Sequence, residues 1–588
     1  MLRFLILTCG LVCWGQKINT GVKDFLENFD YEIQKLKLAC QSAEWNYKTN
    51  ITDYNKKLRT DQQMEYSRFR QEAYKNASRF NLTLLTPIQK RQFSKIMDID
   101  TDAQQNKTKL ARLQEVLKEM IFINKDGVQP GYVLRLKLTK DDVSINFNFF
   151  SVSENDSTDS PDAKLKKLYS EYVSLSNEAI RFLGHSDYGA YWRSYYEDAN
   201  FKDNIRALYD QVLPLYKHFH AYARRKLKAI HVNDTFPASG HIPENLYWYA
   251  MDLEPPISGK TSFDIAAEMV KQNYTAMKIF QIADDFFKSL GMISVPEEFW
   301  RKSLMEKPKD GRKVDCFVSA WDFGNGKDFR IKQCTEMSEN YFSITHREMG
   351  YIQYFLQYKN QPFVFRGGAN PGFLEAVGNT ISLSVETQEH LKSINLIKEV
   401  VYDKESTINF LMAQAQKTIT FIPFIYIADL WRWEVFSGET TKENYNRRWW
   451  EYRCKYEGLS PYSTINSSHF DPGTIDHITA NVPLMSHFVG VILKFQFYKA
   501  LCDISGYTGQ LHRCDIYKSK QAGAKLSEML RLGSSKPWPE AMYVLTGQYK
   551  MDAKPLIDYF KPLLDYLVKE NGNDYGWKQQ CPSVVPET

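Results

Sequence analysis

The chain has 588 residues, with 75 Lys and Arg against 70 Asp and Glu, a formal net charge of +5. Over so long a chain that near-balance excludes the strongly basic surface of a general nucleic-acid binder. Its 36 Phe, 36 Tyr and 12 Trp supply a large core with many hydrogen-bonded rings, so hydrophobic burial does not limit folding.

Residues 1–15 (M-L-R-F-L-I-L-T-C-G-L-V-C-W-G) carry one early positive charge, a short apolar run and a small residue at the end. That is the make-up of a signal peptide cleaved near Gly15. The rest, 16–588, contains no Pro/Gly/Ser-rich linker, repeat or low-complexity tract, only a polar stretch at 151–161, and reads as one domain. Apolar periodicity predicts helices over 23–45, 165–183, 204–228 and 261–290. Strand-like alternation is confined to 132–149 and 317–323. The expected fold is mainly α, a helical ellipsoid with one small sheet.

No later stretch reaches the ~18 apolar residues of a membrane helix, the longest candidates being 420–431 and 489–497. With no anchor signal in the tail, a secreted, extracellular protein is expected. Sequons at Asn50, Asn76, Asn81, Asn106, Asn155, Asn233, Asn273 and Asn466 agree with that route as N-glycosylation candidates. The basic run at 223–228 (A-R-R-K-L-K) lies in a helical pattern and reads as a solvated face. Among the cysteines, the spacings of Cys316 with Cys334 and Cys502 with Cys514 suit local disulfides, while Cys40, Cys454 and Cys581 stay unassigned.

The chemistry centres on 343–354, S-I-T-H-R-E-M-G-Y-I-Q-Y. In H-E-x-x-H, two histidines four residues apart bind zinc from one helix face and the glutamate between them activates water. Here the frame reads R-E-M-G-Y: Glu348 stands at the general-base place, but Arg347 and Tyr351 occupy the ligand places. Arginine is a permanent cation without an acceptor, and tyrosine would have to lose a proton from a pKa near 10. Arg347 is expected to fill the metal position and pair with glutamate. On the other face Phe342, Thr345, Met349, Ile352 and Leu356 form a stripe expected to be buried.

These residues, with V-D-C-F-V-S-A-W-D-F at 314–323, G-K-D-F-R-I-K-Q-C at 326–334, E-N-Y-N-R-R-W-W at 443–450 and K-P-W-P-E-A-M at 536–542, resemble the angiotensin-converting enzyme family, zinc dipeptidyl carboxypeptidases. The resemblance covers nearly the whole mature chain and implies a gluzincin-like helical ellipsoid with a deep central cleft. It makes Glu375 the third zinc ligand and places Asn379 where an aspartate usually orients a zinc histidine. It puts Phe317, Ile475, Leu484 and His487 at lost substrate-anchor positions and keeps His477 at that of a transition-state histidine. It implies one chloride site of Arg193, Trp449 and Arg453, with a second broken at His231 and Ser486. It also supports both local disulfides.

With both zinc histidines replaced, the expectation is a secreted, catalytically inactive homologue that acts by binding or scaffolding. No enzyme activity and no zinc are expected, with room for one chloride ion. The partner would be a protein or peptide that the sequence does not name. The alternative is a metallopeptidase (peptidyl-dipeptidase) with a rebuilt site drawn from His346, Glu375, His477 or His487.

Overall fold

The computed structural model describes residues 2–126, 160–258, 264–401, 403–461, 469–578 and 581. The strand-like segment 132–149, nearly all of the polar stretch 151–161 and the sequons at Asn155 and Asn466 lie outside these residues. The fold is mainly α, as expected. Two small sheets appear among the described residues where one was expected. Ser319–Asp322 pairs antiparallel with Phe329–Lys332, and Ile242–Pro243 pairs parallel with Leu459–Ser460.

The first helix spans Leu2–Thr49 and so runs through most of the expected signal segment. With Asp53–Ala77 and Pro87–Met97 it closes a small separate core around Phe29, Ile33 and Phe93. The main core extends through the rest of the described chain. Two predicted helices appear nearly as expected, Pro161–Arg181 and Phe201–Ile230. The predicted helix over 261–290 is instead two, Ile265–Lys271 and Ala276–Ser289. Asn273 between them takes a positive φ of 53°, and Thr275 caps the second through its hydroxyl. No helix among the described residues is long and apolar enough to cross a membrane.

The basic run is not wholly a solvated face. Arg224 is only 4% exposed and binds the Gly240 carbonyl, the Gly576 carbonyl and the Asp574 carboxylate. It anchors the C-terminal segment to the helix Phe201–Ile230. The described sequons Asn76, Asn81, Asn106, Asn233 and Asn273 are exposed, and Asn50 is half-buried.

The layer that positions the site is a stack of three helices, with Phe373–Val385 between the central helix Glu339–Tyr358 and the helix Met485–Ile504. Glycine sets both spacings. A Cβ on Gly350 would stand 3.0 Å from Gly378 Cα, and one on Gly490 would stand 2.9 Å from Glu375 Cβ. Only hydrogen fits such contacts, so the backbones approach closely. Ser338 caps the central helix by accepting from the Tyr341 amide at 3.2 Å. The expected stripe is buried, and so is nearly every other residue from Phe342 to Tyr358. Sandwiched on several sides, the helix has no solvent face beyond its first turn, and from Phe342 onward Arg347 is the partly exposed exception.

Candidate active site

Arg347 and Tyr351, one turn apart, both point at the helix Phe373–Val385 and straddle Gly378. A Cβ there would lie 2.4 Å from Tyr351 Cε1 and 2.9 Å from Arg347 Cγ. The Glu348 side chain is 2% exposed, and Arg347 closes on it, donating from Nη2 at 2.8 Å and from Nε at 3.2 Å to Oε1. Tyr351 donates its hydroxyl to Glu375 Oε2 at 2.9 Å, and the Asn379 amide donates to the same oxygen at 3.3 Å. Each residue at a ligand place therefore serves one of the two glutamates, Arg347 for Glu348 and Tyr351 for Glu375. The expected pairing of Arg347 with a glutamate is present.

Burial pushes the Glu348 carboxyl above the ordinary glutamate value, against the pull of Arg347. Burial works against the Arg347 charge as well, but Tyr351, Glu348 and Glu375 outweigh it and hold the guanidinium firmly protonated. The Tyr351 hydroxyl is raised well above its usual range by burial and then by Glu375, so it stays a donor.

The other candidates fall elsewhere. His346 turns to the opposite side, its Nδ1 2.7 Å from the Phe342 carbonyl and its ring 6.3 Å from that of His390. One residue along a helix rotates the side chain by about 100°, which is why it leaves the Arg347 face. His346 is fully buried, and burial lowers its pKa to about 3. His477 and His487 face each other at 5.9 Å, and Arg432 donates to the His477 carbonyl at 3.3 Å. Burial, then His487 and Arg432, lowers His477 to about 4. Ile475 and Leu484 are buried core residues, whereas Phe317 is 62% exposed. His231 ends the helix Phe201–Ile230 near Asp234, and the Ser486 hydroxyl bonds the Pro483 carbonyl.

The expected chloride residues find other partners. Arg453 pairs with the Glu457 carboxylate at 2.7 Å and with Glu244, beside Trp449 and Trp450. Two carboxylates already surround that cation, which disfavours a further anion. Arg193 lies over the Trp433 ring at 5.0 Å, with burial lowering its pKa. Sequence reasoning missed both: Glu244 is brought from far along the chain, whereas Glu457 stands four residues after Arg453, a helical spacing that could have marked it.

Cys316–Cys334 and Cys502–Cys514 are disulfides, as their spacing suggested. A third joins Cys454 to Cys581, and Cys40 is the free, buried cysteine among the described residues.

A buried helix in the H-E-x-x-H frame, facing a second helix that presents a glutamate to it, defines the class as a helical metallopeptidase scaffold. A sequence model described as angiotensin-converting enzyme matches residues 16–577. Angiotensin-converting enzyme of Theromyzon tessulatum is 41% identical over 95% of this chain and 94% of its own. That of Bos taurus is 40% identical over 95% of this chain, which spans 44% of the bovine protein. Angiotensin-converting enzyme-like protein Ace3 of Mus musculus is 38% identical over 94% of this chain and 78% of its own. The chain belongs to the angiotensin-converting enzyme family.

Two expectations are corrected by that membership. A non-enzyme was expected, yet relatives 40–41% identical over most of the chain are named as a converting enzyme, a peptidase, and nothing positive shows inactivity. The expected absence of zinc is overturned likewise, since the family is zinc-dependent and loss of binding is not shown. The local donor set nevertheless differs from the family's. Arg347 and Tyr351 bring donors where the motif brings imidazole acceptors, and among the described residues no three His, Cys, Asp or Glu gather to hold a metal. The side chains as placed do not fit a zinc ion in the H-E-x-x-H manner.

Proposed function

We propose that the protein is a peptidase of the angiotensin-converting enzyme family, a peptidyl-dipeptidase whose centre departs from the usual metal set. The observation that carries this reading is that Glu348 and Glu375 are both kept and face one another's helices across the Gly350–Gly378 contact, in a chain similar to named converting enzymes over nearly all its length. Burial raises the Glu348 carboxyl toward the range that suits a general base. In this arrangement Glu348 takes the proton of an attacking water. Arg347, which keeps N–H donors beyond those given to Glu348, binds the peptide carbonyl oxygen as it gains charge, while Tyr351 holds Glu375 in place.

The test is release of a C-terminal dipeptide from an N-blocked tripeptide by the purified full chain, with zinc content measured on the same sample. Dipeptide release that falls about 100-fold or more in Glu348→Gln is expected. Release no higher than in that variant, with or without added zinc, would overturn the proposal.

A further inference from the structure

The C-terminal disulfide lies in a built environment that the peptidase reading does not use. Cys454 is 2% exposed and follows Arg453 in the wide helical turn Arg453–Glu457. Its partner Cys581 is partly exposed. His241, fully buried, holds Nε2 3.2 Å from Cys454 Sγ and Nδ1 2.8 Å from Ser239 Oγ. Trp577 closes over this corner with its ring 6.5 Å from that of His241, and the Lys578 amide donates to the Ser239 carbonyl at 2.8 Å. A Ser239 hydroxyl donating to Nδ1 leaves the imidazole proton on Nε2, aimed at the sulfur. The other two disulfides show no such imidazole contact among the described residues.

We propose that Cys454–Cys581 is a thiol-exchange site for an external small-molecule dithiol, with Cys581 the sulfur attacked and His241 a positioning donor to the departing Cys454. A thiolate of the dithiol forms a bond to Cys581 Sγ, and the Cys454–Cys581 bond breaks with its electron pair passing to Cys454 Sγ. The His241 N–H stabilises that negative sulfur, which makes it a better leaving group. The dithiol's second sulfur then displaces Cys581 and closes a cyclic disulfide. The reagent gives up two electrons, its two protons pass through solvent to the two cysteines, and the C-terminal segment loses its covalent tie. Exposure alone does not distinguish this pair, because Cys316 is also partly exposed. His241 makes the difference.

The experiment titrates the folded, oxidised full chain with dithiothreitol at neutral pH without denaturant, quenches with iodoacetamide and maps labelled cysteines by mass spectrometry. Labelling of Cys454 and Cys581 about tenfold faster than of the other two pairs is expected, with His241→Phe removing most of that advantage and His241→Gln, which keeps an N–H donor, restoring part of it. Opening of Cys316–Cys334 first, or of all three pairs together, overturns the proposal, as does an unchanged rate in His241→Phe. Should that variant not fold, the order of opening in the unaltered chain decides alone.

Discussion

Replacing Arg347 with methionine removes the partner of a carboxylate that is 2% exposed, while keeping most of the side-chain volume. Breaking a buried ion pair from one side costs about 3–5 kcal/mol. The glutamate has an escape, which is to take up a proton. From an ordinary glutamate pKa near 4.3, doing so at pH 7 costs about 1.4 kcal/mol per unit, a ceiling of roughly 3.7 kcal/mol. Arg347 itself is 24% exposed, so some water replaces it and a loss of about 3 kcal/mol at pH 7 is expected. In the variant the folded-state pKa of Glu348 lies above its unfolded value. The penalty is therefore full at pH 7 and shrinks as pH falls toward the unfolded pKa, to about 0.6 kcal/mol at pH 4.5, where a large share of the unfolded glutamate is already protonated. Urea midpoints of variant and parent at both pH values measure it. A loss below about 0.5 kcal/mol at pH 7, or an equal loss at both pH values, would refute the reasoning. The double variant Arg347→Met/Glu348→Gln should recover most of the stability, because no buried charge is left unpaired.

Gly378→Ala would press a methyl 2.4 Å from Tyr351 and 2.8 Å from the Arg347 carbonyl, and should lower stability by about 1–3 kcal/mol, whereas Gly21→Ala, with open space in a helix, should gain about 0.5–1 kcal/mol; thermal unfolding compares them. Burial lowers His220 to about 3 and His512 to about 4. Their folded values lie below the unfolded ~6.5, so their contribution is complete above that pH and is lost as pH falls, by about 1.4 kcal/mol per unit for each. Between pH 6 and pH 4.5 the unfolding free energy of His220→Gln should fall less steeply than that of the parent, by about that slope, and parallel curves would contradict it. Cys581→Ser opens a loop with a sequence separation of 127 and should cost up to about 5 kcal/mol in urea unfolding.

The central helix was legible because its frame is rigid: Glu348 lies between positions 347 and 351 in any helix, so the pairing of Arg347 with a glutamate followed from charge and burial alone. What periodicity could not give was the division of labour, Tyr351 rather than Arg347 taking Glu375, because that depends on the approach permitted by Gly378. The break at Asn273 was missed for a local reason, a left-handed residue inside an otherwise apolar-periodic run. The Cys454–Cys581 pairing and the burial of Arg224 rest on contacts between distant segments, which no single window of sequence contains. Activity was misjudged by weighing two lost histidines above the likeness of the remaining chain to named enzymes.

The bond between Cys454 and Cys581 also closes a covalent ring around the last part of the chain. The helices Met485–Ile504 and Lys554–Asn571 lie inside it, the first of them packed on the helix that carries Glu375. A protease that cuts once anywhere within the ring separates no fragment, since both halves stay tethered. Such a nicked molecule would migrate as one piece on a non-reducing gel and as two after reduction, and it would keep the support behind Glu375 in place while the backbone beside it was severed.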